Sequence, residues 1–70
     1  MYILIEIQSD GETAATVVNT YADKPHADQA FHQILAAAAV SEVKYHSAVM
    51  LTHDGQPVYS EGYTHEEVGE

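Results

Sequence analysis

The chain has 70 residues and carries 11 acidic side chains against 2 basic ones, so its formal net charge is −9. A chain of this length forms one domain at most, because a domain this small buries only about 60% of its unfolded surface. The sequence contains no cysteine and no arginine. This excludes disulfides, thiolate metal sites and a cysteine nucleophile, and it leaves no cluster of cations for nucleic-acid phosphates.

The N-terminal segment has the pattern of a β-hairpin. Residues 2–8 have isoleucine at every second position between 3 and 7, which predicts a strand. Residues 9–12 read Ser-Asp-Gly-Glu, which is a turn signal. Residues 14–21 are rich in threonine, valine and tyrosine, which favour a returning strand. We expect a hairpin whose loop is longer than two residues.

The next segment predicts one amphipathic helix. Asp23 is a suitable N-cap, and Pro25 falls in the first turn, where its missing N–H costs no hydrogen bond. The helix is expected to run to about Val40 and to end at Ser41 and Glu42. Its apolar side chains have the spacing of a single buried face. They are Ala27, Ala30, Phe31, Ile34, Leu35 and Ala38.

The last third of the chain predicts a second hairpin. Residues 43–53 and 56–64 are the two expected strands, joined by Asp-Gly at 54–55. Asp-Gly between extended segments favours a two-residue type I′ turn, in which both central residues have positive φ. Pairing of His53 with Gln56 then sets the register. It places Leu51 opposite Val58, Met50 opposite Tyr59, Ala48 opposite Glu61 and His46 opposite Tyr63.

These elements predict an α+β fold with the order β-β-α-β-β, in which one four-stranded, mostly antiparallel sheet carries a single helix on one face. Residues 1–64 form the single domain, and residues 65–70 are an acidic tail that we expect to be frayed. The helix is expected to cover an aliphatic face, on which Ser60 and Gly62 are small enough to allow close approach. The aliphatic side chains expected there are Ile3, Ile5, Ile7, Val49, Leu51 and Val58.

The other face of the sheet is then left uncovered, and it is the candidate interface. Its apolar and aromatic side chains lie among Ala48, Glu6 and Glu61. An exposed contiguous patch of this kind is typical of an interaction site, although scattered apolar residues on an amphipathic sheet are also common. Two such faces packed together predict a homodimer with a shared core. The candidate interface residues are Tyr2, Leu4, His46, Met50, Tyr59 and Tyr63.

Five histidines invite the hypothesis of a metal site, but their spacing does not favour one. His26 and His32 are six residues apart on the helix and cannot share a face, while His46 and His53 are expected on opposite faces of a strand. His65 lies in the acidic tail. No serine lies in a nucleophile motif, and a one-helix domain has little room for a pocket. No catalytic, metal-binding or cofactor-binding residue is predicted, and no enzyme.

The acidic residues are unevenly distributed along the chain. Residues 1–23 carry four acids and no base, residues 54–70 carry five acids and no base, and residues 24–53 balance two acids against two lysines. The plain interpretation is solubility, and a functional one is steering toward a basic protein partner. The alternative function is an acidic, nucleic-acid-mimicking inhibitor of a host nuclease or other DNA-binding enzyme. A metal- or ligand-binding module is a third hypothesis.

Four stretches of the chain resemble one family of small proteins. They are residues 8–11 (QSDG), 30–41 (AFHQILAAAAVS), 46–51 (HSAVML) and 54–63, from Asp-Gly to Glu-Gly-Tyr. In these stretches the chain is similar to small uncharacterised proteins encoded in phages and prophages of Gram-positive gut bacteria, where they can lie among virion-structure genes. The resemblance implies a phage accessory or virion-associated role and carries no catalytic residues.

The expected protein is therefore a non-enzymatic, phage-type protein that acts through protein–protein contacts as a homodimer. No apolar stretch is long enough to span a bilayer, and no signal-peptide pattern is present. We expect a location in the cytoplasm of the bacterial host or in the virion. Self-association and a basic protein partner are predicted, without membrane binding or direct nucleic-acid binding.

Overall fold

The computed structural model describes residues 1–65 and contains four strands and one helix in the order β-β-α-β-β. This confirms the predicted α+β fold. The predicted acidic tail lies outside the described residues except for His65, whose backbone N–H donates to the Lys44 carbonyl (2.6 Å). The elements are β1 (Tyr2–Ser9), β2 (Ala14–Tyr21), α1 (Lys24–Ala39), β3 (Tyr45–Thr52) and β4 (Pro57–Thr64).

The four strands form one sheet in the order β2-β1-β3-β4, with every neighbouring pair antiparallel. Because β2 and β3 both run antiparallel to β1, they are parallel to each other, and α1 connects them across β1. Connections of this kind are almost always right-handed, which allows the helix on only one face of the sheet. Strand order therefore limits the helix to one face of the sheet, and the register of each strand determines which of its side chains lie on that face.

The helix begins and ends at the positions that its sequence indicates. Asp23 has extended backbone angles, and its carboxylate accepts a hydrogen bond from the His26 N–H (3.0 Å), which confirms it as the N-cap. The capping Val40 donates its N–H to carbonyls of the last turn. The predicted apolar stripe faces the sheet, with Ala27, Phe31 and Ala38 buried and the other three members partly buried against the core.

The helix packs on the opposite face of the sheet from the one expected. Leu4, Ala48 and Met50 are buried and form the core together with Ala27 and Phe31 of α1. The assignment of the two sheet faces made from the sequence is therefore wrong for both faces. Both faces of the sheet carry apolar side chains along β1 and β3, so hydrophobicity alone could not show which face the helix covers.

The residues expected beneath the helix lie on the far face, with one exception. Ile3, Ile5 and Ile7 point away from α1 because alternate strand residues point to opposite faces. Val58 does pack against the core, since a bulge in β4 turns it toward the helix.

The small residue at position 62 serves the pairing of two strands and not the approach of the helix. Gly62 lies opposite Ser47 on the face away from α1. A Cβ atom at position 62 would lie 2.5 Å from the Cβ of Ser47 and 3.3 Å from the carbonyl oxygen of His46. Glycine at this position therefore allows β3 and β4 to pair closely.

The turn between β3 and β4 differs from the expected type I′ turn. Among the described residues only glycines have positive φ, so Asp54 does not adopt the conformation that a type I′ turn requires. Instead, the N–H of Gly55 (φ 88°) donates to the Thr52 carbonyl (2.9 Å), and the N–H of Thr52 donates to the Gln56 carbonyl (2.8 Å). The loop has three residues, not two.

The β4 bulge compensates for the longer loop. The ladder shifts by one residue between Met50 and Leu51, so Leu51 lies opposite Pro57 and not opposite Val58. Beyond the bulge the predicted register is confirmed. Met50 lies opposite Tyr59, Ala48 opposite Glu61 and His46 opposite Tyr63.

Leu4→Ala should destabilise the fold by about 2–5 kcal/mol, because Leu4 is 1% exposed and its truncation leaves a cavity beneath the helix. Urea denaturation gives the free energy of unfolding. The control Val17→Ala, at a side chain that is 51% exposed, should change it by about 0.5 kcal/mol or less. Equal losses in the two variants would contradict the assignment of the covered face.

Candidate functional site

Three of the candidate interface residues lie beneath the helix. Leu4 is 1% exposed, Met50 0% and His46 5%. Because these side chains are already buried within one chain, they cannot form the uncovered surface that the sequence indicated. The expectation that they line an open sheet face is wrong, because α1 packs on the face that carries them.

Two of the three candidate tyrosines border the buried core on the helix side. The ring of Tyr59 packs against Phe31, with 5.2 Å between ring centroids. Its hydroxyl accepts a hydrogen bond from Lys24 Nζ (2.7 Å), and the ammonium lies 4.8 Å from the ring centroid. This hydroxyl and the Asp28 carboxylate together raise the pKa of Lys24. Tyr2 packs against the core at the start of β1.

The third candidate tyrosine lies near the end of the helix. Tyr63 is partly exposed, and its ring stacks on that of His65 with 6.3 Å between centroids. The His65 ring nitrogen Nε2 donates to the carbonyl of Ala38 (2.7 Å). These contacts connect the end of β4 to the last turn of α1. The aromatic side chains therefore join helix and sheet within one chain.

A small polar cluster lies inside the covered face. His46 Nε2 hydrogen-bonds Glu6 Oε2 (2.6 Å), and the Gln8 amide donates to the same oxygen (3.2 Å). The other ring nitrogen of His46, Nδ1, is buried without a hydrogen-bond partner among the described residues. A buried ring with one unsatisfied nitrogen depends on its single partner, so we expect the His46–Glu6 bond to contribute to stability.

The histidines and carboxylates do not gather into a metal site within residues 1–65, where no three such side chains could hold one ion. His26 pairs with the neighbouring Asp23 (2.7 Å), and both side chains are exposed. His32 and His53 are also exposed. The helix in the described chain lacks the length and apolarity needed to cross a lipid bilayer.

The sheet face away from the helix is the feature that sequence reasoning missed. We call it the open face. Its aliphatic centre is formed by Ile3, Ile5, Ile7, Val49 and Leu51, all half-buried, together with Val18, which is 57% exposed. Polar and small side chains surround this centre. They are Ser9, Ala14, Thr16, Thr20, Tyr45, Ser47, Pro57, Ser60, Gly62 and Thr64.

None of the strand side chains on the open face is charged, although the chain has a net charge of −9. The only charged residues within the four strands are Glu6 and Glu61, and both lie on the helix side of the sheet. The sequence does contain a signal for this face. In each of the four strands, every second residue, counted from those on the open face, is uncharged. This signal could not be used without the strand register.

The other described acids lie outside the strands, in the turns, at the start of the helix and within it, and in the loop that follows it. Asp10 accepts hydrogen bonds from the N–H groups of Glu12 and Thr13 (both 2.8 Å), which lower its pKa. The Thr52 hydroxyl lowers the pKa of Asp54, and the His26 N–H lowers that of Asp23. These carboxylates stabilise turns and a helix start, so each has a structural role.

Comparison with protein-family models, curated proteins and solved structures gives no match for this chain. Its function has therefore to be inferred from the fold and from the distribution of apolar and charged side chains.

A double-mutant cycle of Glu6→Gln and His46→Gln should give a coupling energy of about 1–3 kcal/mol, because the bond between the two side chains is largely shielded from water. Urea denaturation of the four variants measures it. The exposed pair Asp23–His26 has a similar distance of 2.7 Å and serves as the control, with a smaller expected coupling. Coupling at His46 no larger than at His26 would contradict a stabilising buried bond.

Acid should weaken the fold through Asp10, Asp23 and Asp54. Their pKa values lie below the ordinary 3.8 in the folded chain, so their contribution is complete above about pH 5 and is lost as the pH falls through the folded values. The variant D10N/D23N/D54N keeps side-chain acceptors without the charge. Its stability should fall less than that of the wild type between pH 6 and pH 2.5, as measured by urea denaturation.

The matched control is E12Q/E42Q/E61Q, which removes the same number of charges from exposed positions. It should keep the acid sensitivity of the wild type. If both triple variants respond to acid alike, net charge and not the three hydrogen-bonded aspartates determines the pH dependence.

Proposed function

We propose that the protein is non-enzymatic and acts through protein–protein contacts, associating with a second copy of itself through the open face. The observation that carries the proposal is an apolar, uncharged sheet face in a chain whose net charge is −9. Exposed contiguous apolar surface is typical of interaction sites, and an interface core is depleted in charged residues. The expected assembly is the homodimer predicted from the sequence, but its interface is the isoleucine side of the sheet and not the tyrosine side.

Charge favours a second copy as the occupant of this face. Two chains of charge −9 repel each other. The described strands place no carboxylate on the open face, so two copies that meet there bring no strand carboxylates together. A basic partner would be attracted most strongly to the acidic ends of the sheet, where Asp10, Glu12 and Asp54 lie. The uncharged face offers such a partner no complementary charge.

The size of the open face also fits a dimer. Strands of eight residues are about 26 Å long, and four of them span about 19 Å, which gives a face of about 500 Å². Two copies would together bury about 1,000 Å², near the lower size of stable interfaces. The described part of the chain is thin, with a shortest dimension of 15 Å, so a second sheet would double its thickness and cover its aliphatic side.

The phage or prophage role remains a prediction that rests on sequence resemblance. The alternative, an acidic inhibitor that mimics nucleic acid, is supported only by the net charge. The positions of the acids favour it less, because the uncharged open face separates the acidic turns at the two ends of the sheet. A purified protein that competes with DNA for a basic nuclease in a salt-dependent manner would favour the alternative.

Ile5→Asp should weaken association through the open face, because it places a carboxylate at the centre of that face, where a second copy would bury it. Sedimentation equilibrium at micromolar to millimolar concentrations measures the mass, and the dissociation constant should rise at least tenfold. Circular dichroism verifies that the variant is folded.

The matched control is Gln33→Asp, which adds the same charge on the exposed side of the helix. It should leave the mass of the complex unchanged. A wild-type chain that is monomeric at millimolar concentration, or an Ile5→Asp variant with the wild-type mass, would overturn the proposal.

A further inference from the structure

Strand β2 is the least covered element of the fold. All of its residues from Ala14 to Thr20 are exposed, on both faces of the sheet, and among residues 1–65 only β1 pairs with it. The helix contacts β2 less than any other strand. Val17 on the helix side and Val18 on the open face are 51% and 57% exposed. The strand therefore presents two valines and a free edge of backbone N–H and C=O groups.

The two edges of the sheet differ in how they are protected. Edge strands of soluble proteins usually carry charges, proline or bulges that prevent pairing with another chain. Strand β4 has all three, namely Pro57, Glu61 and the bulge beside Leu51. Strand β2 has none: its sequence is AATVVNTY, and its ladder with β1 is regular. The unprotected edge is long, uncharged and rich in strand-forming residues.

We propose that β2 pairs antiparallel with β2 of a second copy, forming a continuous eight-stranded sheet with both helices on the same side. A two-fold axis perpendicular to the sheet produces this arrangement and places one residue opposite its own copy. With the axis at Val18, Val17 lies opposite the second copy's Asn19, and Thr16 opposite the second copy's Thr20. These pairs contain no like charges, and threonine pairs across strands are favourable.

This edge interface is independent of the proposed open-face interface. Edge pairing leaves the open faces of both copies on one side of the sheet, because residues opposite each other point to the same face. Two such eight-stranded sheets can then pack through their open faces. Together the two interfaces give a tetramer whose two-fold axes are mutually perpendicular. Substitutions on the open face and on β2 can remove the two interfaces separately.

The test is a pair of variants at exposed positions of β2. In V17K/N19K the two introduced lysines of one copy lie opposite those of the second copy, so the dissociation constant of the edge pair should rise about tenfold or more. V17K/N19E has the same first substitution but places lysine opposite glutamate, so it should associate as the wild type does. Neither change alters the open face, since both side chains lie on the helix side.

Sedimentation equilibrium on the wild type should give four chains, V17K/N19K two and V17K/N19E four. V17K/N19K with the wild-type mass, or V17K/N19E with the mass of V17K/N19K, would overturn the edge pairing.

Ile5→Asp distinguishes the edge interface from the open-face interface. If the wild type is a dimer and only Ile5→Asp makes it monomeric, the open-face interface is supported and the edge interface is overturned. If only V17K/N19K makes it monomeric, the edge interface is supported and the open-face interface is overturned.

Hydrogen exchange gives a second readout that does not depend on the variants. Alternate backbone N–H groups of β2 point away from β1 and exchange quickly in a free edge strand. At concentrations where the chain associates they should be protected at least tenfold relative to dilute protein. Equal exchange at both concentrations would overturn the proposal.

Discussion

The contact between Phe31 of the helix and the buried side chains Leu4 and Met50 of β1 and β3 is the interaction on which the rest of the fold depends. It lies at the middle of the sheet and holds the helix against the two central strands. Without it, a two-stranded hairpin at each end of the chain would have too little buried surface to remain folded. The other contacts of the helix, such as those of Lys24 with Tyr59 and of Ala38 with His65, fix its two ends.

The helix packs mainly on β3 and contacts β2 less than any other strand, so a single helix leaves part of the sheet uncovered. The open face lies on the far side of the sheet, and β2 lies at the edge farthest from β4. Neither surface carries a charged strand side chain, while the edge strand β4 is protected by proline, a carboxylate and a bulge. This asymmetry is the structural basis for proposing self-association at two places.

The distribution of charge is consistent with the same interpretation. Within the strands, carboxylates occur only on the helix side, where Glu6 hydrogen-bonds His46. The turn carboxylates are used to accept backbone or hydroxyl hydrogen bonds, as at Asp10, Asp23 and Asp54. The strong negative charge disfavours contact between two copies, and the two proposed interfaces lie where the strands carry no charged side chain.

The sequence by itself determined the element order, the N-cap at Asp23, the buried stripe of the helix and the register between Met50 and Tyr59, because these depend on local patterns of polarity and turn residues. The side of the sheet that the helix covers was decided only by the tertiary structure. Both phases of β1 are apolar, Ile3, Ile5 and Ile7 on one side and Tyr2 and Leu4 on the other, so burial alone has no preference. The choice between them needs the strand order, the side on which the β2–α1–β3 connection crosses the sheet and the register of β1, and all three depend on contacts between residues far apart in the chain. That choice moves the candidate interface from the tyrosine side to the isoleucine side.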